Sequence, residues 1–178
     1  RAGPSTGMPT RTEQADLNLA LFGRHGEAPL PVIAAASPGD CFAAAYEAAR
    51  IAIEHRTPVI LLSDAYLANG AEPWLVPDLE ALPAIEPGFA TASDLTDGTF
   101  APYARDAAGA RPWALPGTPG LEHRIGGLEK ASVTGAISYD PDNHAEMVRQ
   151  RQAKVDAIDV PDLEVNDPTG DADVLVVG

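Results

Sequence analysis

From residue 31 to residue 63 two continuous apolar runs bracket one amphipathic stretch. PVIAAAS (31–37) and TPVILLS (57–63) are short and almost free of polar positions. Such unbroken character predicts strands covered on both faces, as in a parallel sheet. Between them, residues 41–56 carry Phe42, Tyr46, Ala49 and Ile53 at helical spacing, which predicts a helix with one apolar stripe. SPGD opens it, with Ser37 placed as N-cap, Pro38 as first helical residue and Asp40 as the capping-box carboxylate. His55 and Arg56 fall in its last turn, where positive charge suits the helix dipole. The unit reads as a right-handed crossover in a parallel α/β sheet. Ligands of such sheets sit beyond the carboxyl ends of the strands. Ser37, Ser63, Asp64 and Tyr66 fall there and are candidate cleft residues, with capping and loop hydrogen bonding as the competing role for each.

The flanks read differently. Thr10 and Glu13 have capping-box spacing, and a helix over 11–22 follows, with Leu17, Ala20 and Leu21 as its expected buried side. The preceding RAGPSTGMPT is a loop stiffened by Pro4 and Pro9, in which Gly3 and Gly7 allow close approach of backbone to a ligand. From 72 to 118 prolines recur among scattered aromatics, predicting an extended strap. YDPDNHAEMVRQRQAKVDAI (139–158) predicts a second long helix, with Asn143 as cap and Glu146 three residues on. An acidic, turn-rich linker (159–172) leads to DVLVVG (173–178), the expected first strand of a following α/β domain. The expected fold is therefore α/β, a parallel sheet with flanking helices. Its expected parts are the end of one domain (1–70), a strap and helix completing the core (71–158), the linker, and the new strand.

Charge narrows the partners. The chain has 178 residues and a formal net charge of −14. That disfavours nucleic acid and anionic membrane, which need clustered Lys and Arg. One well-placed arginine still creates a local positive site for an anionic substrate. No apolar run is long enough to span a bilayer. The single cysteine, Cys41, cannot form an internal disulfide or hold an iron–sulfur cluster, and reads as a small packing residue suited to a reducing, cytoplasmic setting. The four histidines lack ligand spacing, so no metal site is expected; phosphate-loop, zinc-protease and nucleophile-elbow motifs are absent.

The opening stretch RAGPSTGMPTRTEQADL resembles the signature of the 2-oxoacid:ferredoxin oxidoreductases, in the subunit carrying the thiamine pyrimidine-binding domain. The likeness continues through LFGRHGE, SPGDCF, TPVILLSDAYLA, WALPGTPGLEHRIGGLEK and DPDNHAEMVRQRQAKVD, and so covers nearly the whole chain. It is nearest to the alpha subunit of the enzymes acting on 2-oxoglutarate. Pyruvate or a branched-chain 2-oxoacid is the alternative substrate, and a non-catalytic assembly module the alternative of another class. The resemblance implies oxidative decarboxylation of a 2-oxoacid to an acyl-coenzyme A, with electrons passed to ferredoxin. It implies thiamine diphosphate and Mg²⁺ shared with a beta subunit that holds a [4Fe-4S] cluster. It assigns Arg1 and Thr10 to the substrate, and Gly3, Ser5, Thr6, Gly7 and Asp64 to the neighbourhood of the cofactor, with no catalytic residue within this chain. It departs from the family pattern at Lys130, where a histidine is expected after Gly127-Leu128-Glu129.

Overall fold

The computed structural model describes residues 14–161, 165, 167–170 and 173–174. The described part begins with α1 (Gln14–Phe22), followed by β1 (Val32–Ala34), α2 (Cys41–Glu54) and β2 (Ile60–Leu62). The strands pair in parallel, Val32 with Ile60, Ile33 with Leu61 and Ala34 with Leu62, and α2 packs against both. This is the expected strand–helix–strand unit, with shorter strands. Their cover is partial, because Ala34 and Leu61 stay exposed among the described residues.

Four local expectations change. The buried face of α2 is Ala44 and Ile51, at 5% exposure each, whereas Phe42 and Tyr46 meet the chain that follows. The helix has two apolar sectors, and spacing alone does not tell which one meets a sheet. The helix starts at Cys41, so SPGD forms a turn ahead of it: Ser37 Oγ accepts from the Asp40 N–H at 3.2 Å, but the Asp40 carboxylate reaches back to the Ala36 N–H at 2.9 Å. His55 is the C-cap of α2, and Arg56 lies just past it at φ 52°, the left-handed conformation that closes many helices. In α1, Ala20 is buried as expected, while Leu17 and Leu21 lie on the surface because no described element covers them.

A short helix α3 (Ala65–Asn69) follows β2. Residues 70–139 then run without a long element, but part of this expected strap closes on itself. Asp97 and Gly98, at φ 51° and 74°, form the two-residue turn between β3 (Leu95–Thr96) and β4 (Thr99–Phe100). Ala90, Phe100 and Leu121 form a small buried cluster, with Leu95 and Ala114 packed on it. Phe89 and Trp113 lie alongside, their ring centroids 5.5 Å apart. The last helix, α4 (Pro141–Asp156), buries Met147. Its N-cap is Asp140, which accepts from the Asp142 N–H. Asn143, expected to cap, instead accepts from the Ser132 N–H at 2.8 Å and donates to the Lys130 carbonyl at 2.9 Å, so it holds the preceding loop on α4. The expected strand over 173–178 lies mostly outside the described residues.

Candidate functional site

The carboxyl ends of β1 and β2 are joined by a small set of hydrogen bonds. The loop after β1 carries Ser37, Gly39 and Asp40; the turn after β2 carries Ser63, Asp64 and α3. Glu72, just past α3, bridges back to the first loop. Its Oε1 accepts from Ser37 Oγ at 2.6 Å and also from the Gly39 N–H. Gly39 has to be glycine for this approach, because a Cβ there would lie 2.3 Å from Glu72 Oε1 and 3.0 Å from Trp74 Cδ1. Asp64 caps α3, its Oδ1 accepting from the Leu67 N–H at 2.9 Å. Ser63 and Tyr66 are exposed. Cys41 lies half-buried with its thiol donating to the Ser37 carbonyl, so its neighbour is a carbonyl rather than a base.

This edge is therefore acidic and largely self-satisfied. Three carboxylates, Asp40, Asp64 and Glu72, each take a backbone N–H, and residues 31–72 contain no Lys or Arg besides Arg50 and Arg56 on and after α2. Arg50 is held between Glu47 and Glu54 at 2.6 and 2.7 Å, which drives its pKa upward and that of Glu47 downward. Such an edge does not fit a diphosphate, which needs free N–H groups or cations. Beside it a cavity of about 440 Å³ is lined by Phe42, Tyr46, Trp74, Pro77, Leu82 and Pro83 among others, and the Tyr46 hydroxyl donates to the Pro83 carbonyl.

Of the expected site residues, Asp64 lies at this edge. Arg1, Gly3, Ser5, Thr6, Gly7 and Thr10 lie outside the described residues. Sequence reasoning missed Glu72 and Gly39. Gly39 sits in SPGD, which reads as a helix start, Glu72 belongs to no motif, and the link between them spans 33 residues of chain. Among the described residues no group of three or more His, Cys, Asp or Glu side chains is placed to hold a metal, and no helix is long and apolar enough to cross a membrane.

A parallel strand–helix–strand unit with its polar loops at the carboxyl ends defines an α/β ligand-binding domain. The family described as "Pyruvate flavodoxin/ferredoxin oxidoreductase, thiamine diP-bdg" matches residues 1–139. The chain belongs to this family of thiamine diphosphate-binding domains. It is 62% identical over its whole length to the 2-oxoglutarate oxidoreductase subunit KorA of Mycobacterium tuberculosis, of which it covers 27%. It is 37% identical over 99% of its length to the 2-oxoacid:ferredoxin oxidoreductase 2 alpha subunit of Aeropyrum pernix, again covering 27% of that protein. A solved 2-oxoglutarate:ferredoxin oxidoreductase from Magnetococcus marinus, with 2-oxoglutarate, coenzyme A and succinyl-CoA bound, is similar at a TM-score of 0.74 and 36% identity. That likeness takes in 88% of this chain and 27% of the other. The chain thus spans about a quarter of the length of the relatives it matches.

Proposed function

We propose that this chain is part of the alpha subunit of a 2-oxoacid:ferredoxin oxidoreductase acting on 2-oxoglutarate. The observation that carries this reading is the 62% identity, over the full chain, to a 2-oxoglutarate oxidoreductase subunit. Bound thiamine diphosphate supplies the electron sink on which a 2-oxoacid loses carbon dioxide. The strand-end edge lacks free cations for a diphosphate and one cysteine is too few for a cluster, so the diphosphate, its Mg²⁺ and a [4Fe-4S] cluster are assigned to a beta subunit. Electrons leave to ferredoxin and the acyl group to coenzyme A, in the cytoplasm.

Within this scheme Arg1 pairs two-pronged with the substrate carboxylate, and Thr10 hydrogen-bonds the substrate. Gly3, Ser5, Thr6 and Gly7 neighbour the cofactor, as does Asp64, which holds the turn after β2. A guanidinium fork selects 2-oxoacids over aldehydes, because only the former offer a planar anion. Residues 1–70 complete the cofactor domain, 71–158 its covering layer, 159–172 a linker, and 173–178 open a further domain.

The test is Arg1→Lys in the full-length enzyme. The expected outcome is a KM for 2-oxoglutarate raised by about tenfold or more, roughly 1.5–3 kcal/mol, with thiamine diphosphate affinity nearly unchanged. An unchanged KM overturns the role of Arg1. The broader name of the Aeropyrum pernix relative favours, as a second reading, other 2-oxoacids as substrates. Comparing kcat/KM for 2-oxoglutarate and pyruvate separates the two.

A further inference from the structure

Five of the chain's twelve Lys and Arg side chains line one cavity of about 310 Å³: Arg105, Arg111, Lys130, Arg151 and Lys154, with a single carboxylate, Glu129. This is an unusual concentration in a protein of net charge −14. The cavity is remote from the strand-end edge. Lys154 Nζ donates to the Arg56 carbonyl at 3.0 Å, which places it before β2, at the amino end of that strand. The cations are recessed rather than displayed. All five are only partly exposed, in contrast to Arg149 on the same helix α4, whose side chain is 67% exposed.

The described residues leave most of this charge uncompensated. Glu129 is engaged by His144 at 2.5 Å and lies 3.9 Å from Arg151, which also pairs with Glu27 at 2.5 Å. Among the described residues, Arg105, Arg111, Lys130 and Lys154 make no ion pair. Arg105 is fixed by Gln150 Oε1 at 2.9 Å and the Gly109 carbonyl at 2.8 Å. Its guanidinium and that of Arg111 lie 6.0 and 5.5 Å from the Tyr103 ring centroid. Gathering like charges without a counter-anion is costly. Burial, and then Arg105, Arg111 and Arg151, press the Lys154 ammonium down to about 8. An anion in the cavity removes that cost, and forked guanidinium donors match the oxygens of a phosphoryl group.

We infer that this cavity is a binding site for a small phosphoryl-bearing anion, separate from the strand-end edge. A cavity with recessed cations admits a compact ligand and keeps a broad acidic protein surface from reaching all five. Free and esterified phosphate share the chemistry and differ only in what lies beyond the phosphoryl group.

The test is calorimetric titration of the full-length enzyme with inorganic pyrophosphate and, separately, adenosine monophosphate. Thiamine diphosphate and coenzyme A are kept saturating, so that their own sites are filled. The expected result is saturable binding of at least one probe, weakened about tenfold or more in Arg111→Gln/Lys154→Gln and unchanged in Arg149→Gln. Arg111→Gln/Lys130→Gln serves if the first pair does not fold. Sulfate keeps its charge from about pH 7 to about 9.5, so its affinity is expected to fall as Lys154 deprotonates, and to stay flat in Lys154→Gln. Absence of saturable binding of both probes to the unmodified enzyme, or equal affinity in the folded double variant, overturns the site.

Discussion

At the scale of single residues, the strand-end edge depends on one carboxylate and one missing methyl group. Glu72 reaches Ser37 and Gly39 only because Gly39 has no side chain. The nearest atom to an added Cβ is the end of a flexible glutamate, so Gly39→Ala leaves the backbone in place and pushes Glu72 aside. Gly39→Ala and Glu72→Ala should therefore remove the same two hydrogen bonds. Each is expected to cost about 0.5–1.5 kcal/mol. The double variant should cost no more than the worse single one, since both act on one interaction. Urea denaturation of the four proteins measures this, and additive losses would show that Gly39 and Glu72 act independently.

At the scale of elements, α2 connects two layers. Its Ala44 and Ile51 are buried, while Phe42 meets Trp74 at a ring-centroid distance of 6.0 Å and Tyr46 bonds the Pro83 carbonyl. Aliphatic residues on one face and aromatics on the other give it two partners rather than one. Ile51→Ala should cost about 2–4 kcal/mol, because the vacated volume lies in the packed layer. Leu17→Ala on α1 should stay within about 0.5 kcal/mol, because Leu17 is 39% exposed. Denaturation midpoints at constant m-value test the contrast; equal effects would mean that α1 is as well covered as α2.

At the scale of the whole molecule, long helices hold the irregular region in place. Asn143 on α4 satisfies an N–H and a carbonyl of the loop at 130–132. Arg151 reaches Glu27 across 124 residues, and Lys154 reaches Arg56 across 98. Asn143→Ala leaves two backbone groups without their partner and should cost about 1–3 kcal/mol. Asn143→Asp keeps the acceptor for the Ser132 N–H, loses the donor to Lys130, and should cost less. Hydrogen exchange gives the local readout: the Ser132 amide should lose protection in Asn143→Ala and retain most of it in Asn143→Asp. Unchanged protection in both would mean that the loop holds its shape without α4.

The sequence by itself determined the parts whose signals are local. Continuous apolar runs marked β1 and β2, helical spacing marked α2 and α4, and a long motif marked the family. These depend on neighbours within a few residues, and the chain carries them wherever it folds. Tertiary structure decided which face of α2 is buried, which side chain caps α4, and that Glu72 joins the strand-end loops. It also gathered Arg105, Arg111, Lys130, Arg151 and Lys154, spread over 50 residues of sequence, around one cavity. Asp97-Gly98 carries a local hairpin-turn signal, which the surrounding prolines of the strap obscure. The physical reason for the division is range: propensity and periodicity act over one or two helical turns, whereas burial and charge clustering depend on where distant segments meet.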